Sequence, residues 1–406
     1  MVLSRDPVGV SHRGNAIAVR KMCQFLRAHG MRVVLVLPSF RSLGRKPFER
    51  VTLPHDIFDE VVCYGGVVVG GWMIRFTPAV WSRAVRTVFD RVLGKFGIKR
   101  PPERSIWDIA PVSKSEKAAT ADAIARFRPS SILVNYFFLM DAVDQPAAHG
   151  ILKSVFVHDL FFMRDEEFVT DISGDTMARV SREREITDLA KADLCLTVQG
   201  TEDAILREAL PDMKTLIVHI GLDVLRPPGP PEPDTLMFVG SNNPANQGGL
   251  DWFLEQVWPL LRQLHPAARL FVYGDVANWL QARVPDGVEP VGRLPDITVA
   301  YHRHALCVVP LRLGSGLKIK LVEALSHGRA VVTTDVGAQG LEVLAGSAFV
   351  LADDPVAFAE ACADLLSHPD RRHAQEDQAV LAAERYFSAE ACYEPLRRYL
   401  MDHAAV

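Results

Sequence analysis

Short, unbroken apolar runs recur along this chain with helical patterns between them, and that alternation limits the fold more than any other feature. In the first half the runs are Val33–Leu37, Ile132–Phe138, Ser154–His158, Leu194–Val198 and Leu216–Ile220. In the second half they are Leu236–Gly240, Arg269–Tyr273, Ala305–Leu311, Ala330–Thr334 and Ala348–Leu351. A strand that is apolar along its whole length is buried on both faces. Such strands, alternating with helices, build parallel sheets covered by helices, so the chain is predicted to be α/β. Met1–Ser4 reads as the end of a first strand, which puts the start of the sequence almost inside its own sheet and marks that start as late. Ile17, Val19, Met22, Phe25 and Leu26 then predict a helix between Val10 and Gly30, with Gly30 as its stop.

The chain has 406 residues, too many for one ordinary core. The clearest boundary is Pro227–Pro233, where five prolines in seven residues should form neither helix nor central strand. The predicted domains are 1–220, a linker at 221–233, 234–387, and a C-terminal helix at 388–406. In that helix Tyr393, Leu396, Tyr399 and Leu400 share helical spacing, and it is expected to pack back on the first domain. A net charge of -4 offers no field for nucleic acid, and no base-reading motif is present. The six cysteines are scattered without a C-x-x-C pair and read as buried free thiols of a reducing cytoplasm. The N-terminus lacks the apolar core of a signal peptide, and no run of about 18 apolar residues is present to span a membrane.

Gly65–Ser113 breaks the alternation. It is rich in Arg and Lys, and Trp81, Val85, Val88 and Val92 would share one face of a helix. Two readings stand: a helix with a solvated basic face packed on its sheet, or peripheral membrane contact through residues 72–100.

The chemistry is concentrated in ALCVVPLRLGSGLKIKLVEALSHGRAVVTT. A strand ends near Leu311, a loop with Gly314 and Gly316 follows, a helix starts near Leu317, and Gly328 precedes a further strand. Glycines let backbone N–H groups converge on an anion, and a helix N-terminus adds positive potential. An empty helix start favours acids. This one carries Lys318 and Lys320 and no acid, which suits a bound phosphate. A Lys320–Glu323 surface pair is the plainer reading, but lysine before glutamate is the weaker order.

With these residues in view, Leu236–Glu342 resembles the nucleotide-sugar-binding domain of glycosyltransferase family 4. The matching stretches are LMFVGS, LDWFLEQVWPLLRQLHP, VGRLPDITVAYHRHALCVVPLRLGSG, KIKLVEALSHGRAVVTT and GAQGLE. The first half is similar more loosely, through its opening glycine turn, VHD at 157–159 and IGLDVLRP at 220–227. The resemblance implies the GT-B fold: two Rossmann-like parallel-sheet domains facing each other across a cleft. It implies that Glu323 accepts hydrogen bonds from the ribose and that Lys320 or Lys318 stabilises the leaving diphosphate, capped by the backbone of Gly314–Leu317. The first glutamate of the family's E-x7-E pattern falls at Ser315, so a carboxylate contact to the sugar is missing there. Gly292, Arg293 and Leu294 match the loop that touches the base. Gly240 and Ser241 match the loop after the domain's first strand, where SNNPANQ carries no basic phosphate ligand.

In the first domain, Gly14 and Asn15 either let backbone approach a phosphate or form a plain turn and cap. His158 matches a cleft histidine near the transferred sugar, though a strand-end histidine can be merely structural. Asp159 would orient it or cap the next element, and His12 and Arg13 are further cleft candidates. Without a D-x-D pair or a His/Asp cluster, no metal or other cofactor is expected. The expected activity is metal-independent, retaining transfer from a nucleotide-sugar to a glycan, lipid-linked or small-molecule acceptor, in the cytoplasm or at the inner membrane face. The rivals are a nucleotide-sugar epimerase of the same fold, a non-catalytic homologue and, last, a nicotinamide dehydrogenase, for which no G-x-G-x-x-G follows a first strand with an acid about 20 residues on.

Overall fold

The structure, a computed structural model, describes residues 1–5, 8, 14–39, 48–50, 56–75, 81, 82, 85, 111–163, 180–280, 284–314 and 316–403. The chain divides into two units: Met1–Ile220 with Tyr393–Val406, and Gly221–Cys392.

The first unit holds β1 (Val2–Leu3), β2 (Val34–Leu37), β3 (Phe48–Arg50), β4 (Glu60–Cys63), β5 (Gly66–Val69), β6 (Trp72–Arg75), β7 (Ser131–Asn135), β8 (Leu152–Val157), β9 (Leu194–Thr197) and β10 (Lys214–Ile217). Seven of these form a parallel sheet in the order β10-β9-β8-β7-β1-β2-β4. The other three form a small antiparallel sheet, β3-β6-β5. Its helices include α1 (Gly14–Ala28), α2 (Lys114–Phe127), α3 (Arg182–Leu189) and α4 (Gly200–Ala209). The capping signals act as their chemistry requires. Gly30 takes φ +85° just after α1, and Ser113 and Glu116 close a reciprocal capping box on α2.

The second unit holds β11 (Glu232–Val239), β12 (Arg269–Tyr273), β13 (Val288–Gly292), β14 (His304–Val309), β15 (Ala330–Thr333) and β16 (Val350–Leu351). They form one parallel sheet in the order β13-β12-β11-β14-β15-β16. Around it lie α5 (Pro244–Trp252), α6 (Thr298–Arg303), α7 (Ile319–Ser326), α8 (Pro355–Ser367) and α9 (Pro369–Tyr386). The last helix, α10 (Ala389–His403), runs into the first unit, where Tyr393 packs on Phe25 with ring centroids 5.7 Å apart.

The continuous apolar runs are buried as their composition demands: every residue of β9 and of β14 is inside. Both sheets start at a central strand, grow to one edge, then resume on the other side. The strand order reverses between β1 and β7 in the first sheet and between β11 and β14 in the second. Open α/β sheets bind ligands outside the carboxyl ends of their strands at such a switch point.

Four sequence expectations shift. The strand expected at Ile132–Phe138 stops at Asn135, because Tyr136 turns the chain at φ +75° and Phe137–Ala142 forms a buried 3-10 turn. The strand expected at Leu216–Ile220 is Lys214–Ile217. Pro233 does lie in a central strand, at the start of β11 where the ladder to β14 is irregular. The first part of the basic segment is not helix: Gly66–Arg75 is a hairpin around Gly70–Gly71. Of residues 76–110 only Trp81, Ser82 and Val85 are described, all three helical, and the rest of the helix expected there lies outside the described residues.

Residues 222–225 are tied to the second unit, with Leu222 N–H donating to Phe387 O and Leu225 N–H to Ser326 O, each at 2.7 Å. All six cysteines are free, five of them buried and Cys63 partly so. Burial pushes the Cys23, Cys195, Cys307 and Cys392 thiols up to about 12. No described helix is long and apolar enough to cross a membrane.

Candidate active site

In the second unit, three loops meet at the switch point. The first follows β11. Asn243 caps α5 by accepting from Asn246 N–H at 2.9 Å, and Asn246 Nδ2 donates to Ser241 O at 2.8 Å. A Cβ on Gly240 would lie 2.8 Å from Asn246 Cγ, so glycine is what lets this amide fold over the strand end. A Cβ on Gly249 would lie 2.7 Å from Pro310 O, so α5 is pressed against the chain leaving β14.

The second loop runs from Pro310 to Lys318. Gly314 and Gly316 take φ +116° and +79°, conformations that side chains resist. Lys318, expected inside the helix, is instead its N-cap residue and is buried. Its ammonium donates to Gly316 O at 2.6 Å, to Gly314 O at 3.2 Å and to Gln339 Oε1 at 3.2 Å. Lys318 thus holds the glycine loop in shape. Ser315 lies outside the described residues.

Lys320 enters the first turn of α7. Its ammonium donates to Asn246 Oδ1 and stands 4.9 Å from the centre of the Phe238 ring. Burial, reinforced by the charge of Lys318, lowers its pKa to about 7 against the opposing pull of Glu323. Glu323 lies one turn on and accepts from Tyr301 Oη at 3.1 Å. Burial raises its pKa, while Tyr301 and Lys320 oppose the rise. Tyr301, from α6, is itself locked by stacking on His327 at 4.6 Å and 10°.

The third loop follows β15. Thr334 accepts from Gly337 N–H and donates to Leu311 O, and a Cβ on Gly337 would strike Thr333 Oγ1 at 2.1 Å. This seats Gln339 beside Lys318. At the neighbouring strand ends, Gly292 takes φ +87°, Arg293 pairs with Asp275, and Leu294 packs on the buried cluster that includes Tyr301. Arg293 and Asp275 are both fastened to each other in this state.

In the first unit, Gly14 opens α1, while His12 and Arg13 lie outside the described residues, as do the surroundings of the Asn15 side chain. His158 follows β8 and is sandwiched between Tyr136 and Phe156, each 4.4 Å away between ring centroids. Burial pushes its pKa down to about 3, so the ring is neutral. Nε2 is 2.8 Å from Asn135 Oδ1, and Asn135 Nδ2 donates to Ser4 Oγ at 3.0 Å. With Asn135 Oδ1 facing it, Nε2 carries the histidine proton and Nδ1 is left as an acceptor. Behind it, burial and then the charge of Asp159 push Glu202 up to about 8.

The structure brings Gly240, Ser241, Gly314, Gly316, Lys318, Lys320 and Glu323 into one corner of the second unit. His158 lies in the other unit, at the corresponding corner of its sheet. The residues not singled out from sequence are Asn246, Tyr301, Gln339, Asn135 and Ser4. Each acts through a partner remote in sequence, and only the Asn243-x-x-Asn246 cap was signalled locally. Among the described residues, no group of three or more His, Cys, Asp or Glu is placed to hold a metal ion.

Residues 233–368, about a third of the chain, match the family model described as glycosyl transferases group 1. An uncharacterized 44.6 kDa protein in the cps region of Klebsiella pneumoniae is 25% identical over 136 residues, which are 31% of this chain and 35% of that relative. The match therefore spans about a third of the curated relative. Sucrose-phosphate synthase from Thermosynechococcus elongatus superposes with a TM-score of 0.67 at 18% identity, over 100% of this chain and 99% of that one. HepE of Anabaena, solved with UDP and glucose, superposes with a TM-score of 0.62 at 13% identity, over 98% of each chain. The second unit carries a glycosyl transferases group 1 domain, and the chain as a whole has the GT-B fold.

Proposed function

We propose that this chain, with a glycosyl transferases group 1 domain in its second unit, is a glycosyltransferase that moves a sugar from a nucleotide-sugar, with UDP the first nucleotide to try, to a glycan or lipid-linked acceptor. The observation that carries the reading is the pairing of Lys320 with Asn246 at the opening of α7, with Glu323 and Tyr301 one turn on, at the sheet's switch point. Lys320 and the helix N-terminus meet the diphosphate, whose negative charge grows as the glycosidic bond breaks. Tyr301 occupies one oxygen of Glu323, which leaves the other to accept a ribose hydroxyl. Lys318 is spent on the loop and shapes it.

Transfer breaks the bond between the anomeric carbon and the diphosphate oxygen and forms one to the acceptor oxygen. In the retaining course proposed here both events use the same face of the sugar, and a diphosphate oxygen takes the acceptor proton. His158, neutral with Nδ1 as acceptor, orients a sugar or acceptor hydroxyl. The lysine and helix terminus supply the charge that a metal would otherwise supply, so transfer is expected to survive EDTA. A basic stretch at residues 72–100 fits a peripheral position at a membrane that bears the acceptor.

The test is transfer from UDP-, GDP-, ADP- and dTDP-sugars, with the linkage of the product determined. Product of retained configuration that vanishes in Lys320→Ala and Glu323→Ala supports the reading. Inverted product overturns the retaining course. Donor converted without any acceptor identifies an epimerase, and variants equal to wild type remove the site.

A further inference from the structure

The small sheet β3-β6-β5 is built the wrong way round for a surface sheet in water. Its register sets Val67 and Phe48 on either side of Ile74, and Val69 beside Trp72. Met73, between them in sequence, points inward and is fully buried. Antiparallel sheets with one solvated face alternate apolar-in and polar-out. Here the outward positions are apolar too: Phe48 is 54% exposed, Val69 59%, Val67 47%, Trp72 46% and Ile74 36%. Phe48 and Trp72 meet edge-on at 6.2 Å, so the patch is continuous. Among the described residues nothing covers it.

Charge says what does. The sequence running into this sheet, residues 41–50, has four bases against one acid, and the sequence leaving it, residues 75–100, has seven against one. An apolar face with tryptophan in it, flanked in sequence by cations, matches the boundary of an anionic bilayer, where acyl chains meet headgroups. A second copy of the chain fits less well. Stable protein interfaces take about 20–30 residues a side, far more than five side chains.

We propose that the outward face of β3-β6-β5 is a membrane-docking surface that enters the headgroup region of an anionic bilayer. It rests on the reading of a membrane-borne acceptor and supplies the apolar half of the contact, with the basic sequence supplying attraction. The unit that carries His158 would then work at the lipid surface.

The test is flotation of the full chain with phosphatidylcholine vesicles, with and without phosphatidylglycerol. Wild type should float only with the anionic vesicles. Val69→Ser with Trp72→Ser should cut binding by about tenfold or more, since two buried side chains are lost, while thermal stability and the shift produced by UDP stay as in wild type. The chain has six tryptophans, so the difference between wild type and Trp72→Phe isolates the signal of Trp72. That signal should be quenched by brominated lipid. The proposal is overturned if wild type does not float, or if the double variant floats as well as wild type and the basic sequence alone binds. A concentration-dependent dimer broken by the same variant would overturn it in favour of a second copy. Lys320→Ala should float normally. Wild type that floats but transfers no sugar would sink the glycosyltransferase reading and leave the docking surface standing.

Discussion

Burial strips the Lys320 ammonium of water and Lys318 adds a like charge, which together lower its pKa to about 7. A diphosphate brought against it raises that pKa, and binding takes up a proton wherever the free lysine is neutral. Below about 7 the lysine is already charged and contributes fully. Above about 7 affinity falls, by up to about tenfold per pH unit, until pH passes the raised value of the bound state. Calorimetric titration of UDP in buffers of different ionisation heat reads the uptake directly. Lys320→Met should abolish this part of the pH dependence and lower kcat by about 10²–10³-fold. Because the folded pKa lies below that of a free lysine, the charged form is disfavoured by folding, and the same variant should melt no lower than wild type. A variant that melts lower while keeping its activity would make Lys320 a structural residue.

At the scale of an element, α5 offers a sharper test, because its adjacent glycines do different things. A Cβ on Gly248 meets nothing within 4 Å, so Gly248→Ala should stabilise the helix by about 0.5–1 kcal/mol. A Cβ on Gly249 strikes Pro310 O at 2.7 Å and Leu311 Cα at 3.2 Å, so Gly249→Ala should cost about 1–3 kcal/mol. It should also weaken UDP binding, since Pro310 leads into the glycine loop. Thermal unfolding of the two variants checks the opposite signs. The sequence does not announce this difference, because what Gly249 touches is 61 residues away in the chain. The same physics separates what could be read in advance from what could not. The buried strands β12, β14 and β15 declare themselves because an unbroken apolar run has few other uses. The half-exposed edge strand β13, Val288–Gly292 with Pro290 inside it, does not. Tyr136–Phe138 imitates the end of a strand, and only the left-handed turn at Tyr136 reveals otherwise. In the site, glycines, Lys320 and Glu323 stand in a local pattern and were legible. The partners that aim them, Asn246 and Tyr301, are chosen by tertiary approach.

At the scale of the molecule, the chain leaves the first unit at Ile220, builds the second, and comes back at Tyr393. The two ends of the second unit are joined where Leu222 donates to Phe387 O, as an inserted domain requires. Tyr393 is fully buried, and Leu396 and Leu400 follow it into the same unit. Tyr393→Ala should therefore destabilise the first unit by about 3–5 kcal/mol, the cost of deleting a large buried ring. The second unit should keep its own melting and its affinity for UDP, which two-phase unfolding followed with and without nucleotide would reveal. Equal loss in both units would mean that they unfold as one body. This return has a consequence for how the protein is made. A ribosome delivers the first unit's strands before the second unit and α10 after it, so the first unit is completed only once the second has been made. During that interval Phe25 and its neighbours wait uncovered while the inserted unit is completed, and those minutes or seconds on the ribosome are when this chain is most in need of a chaperone.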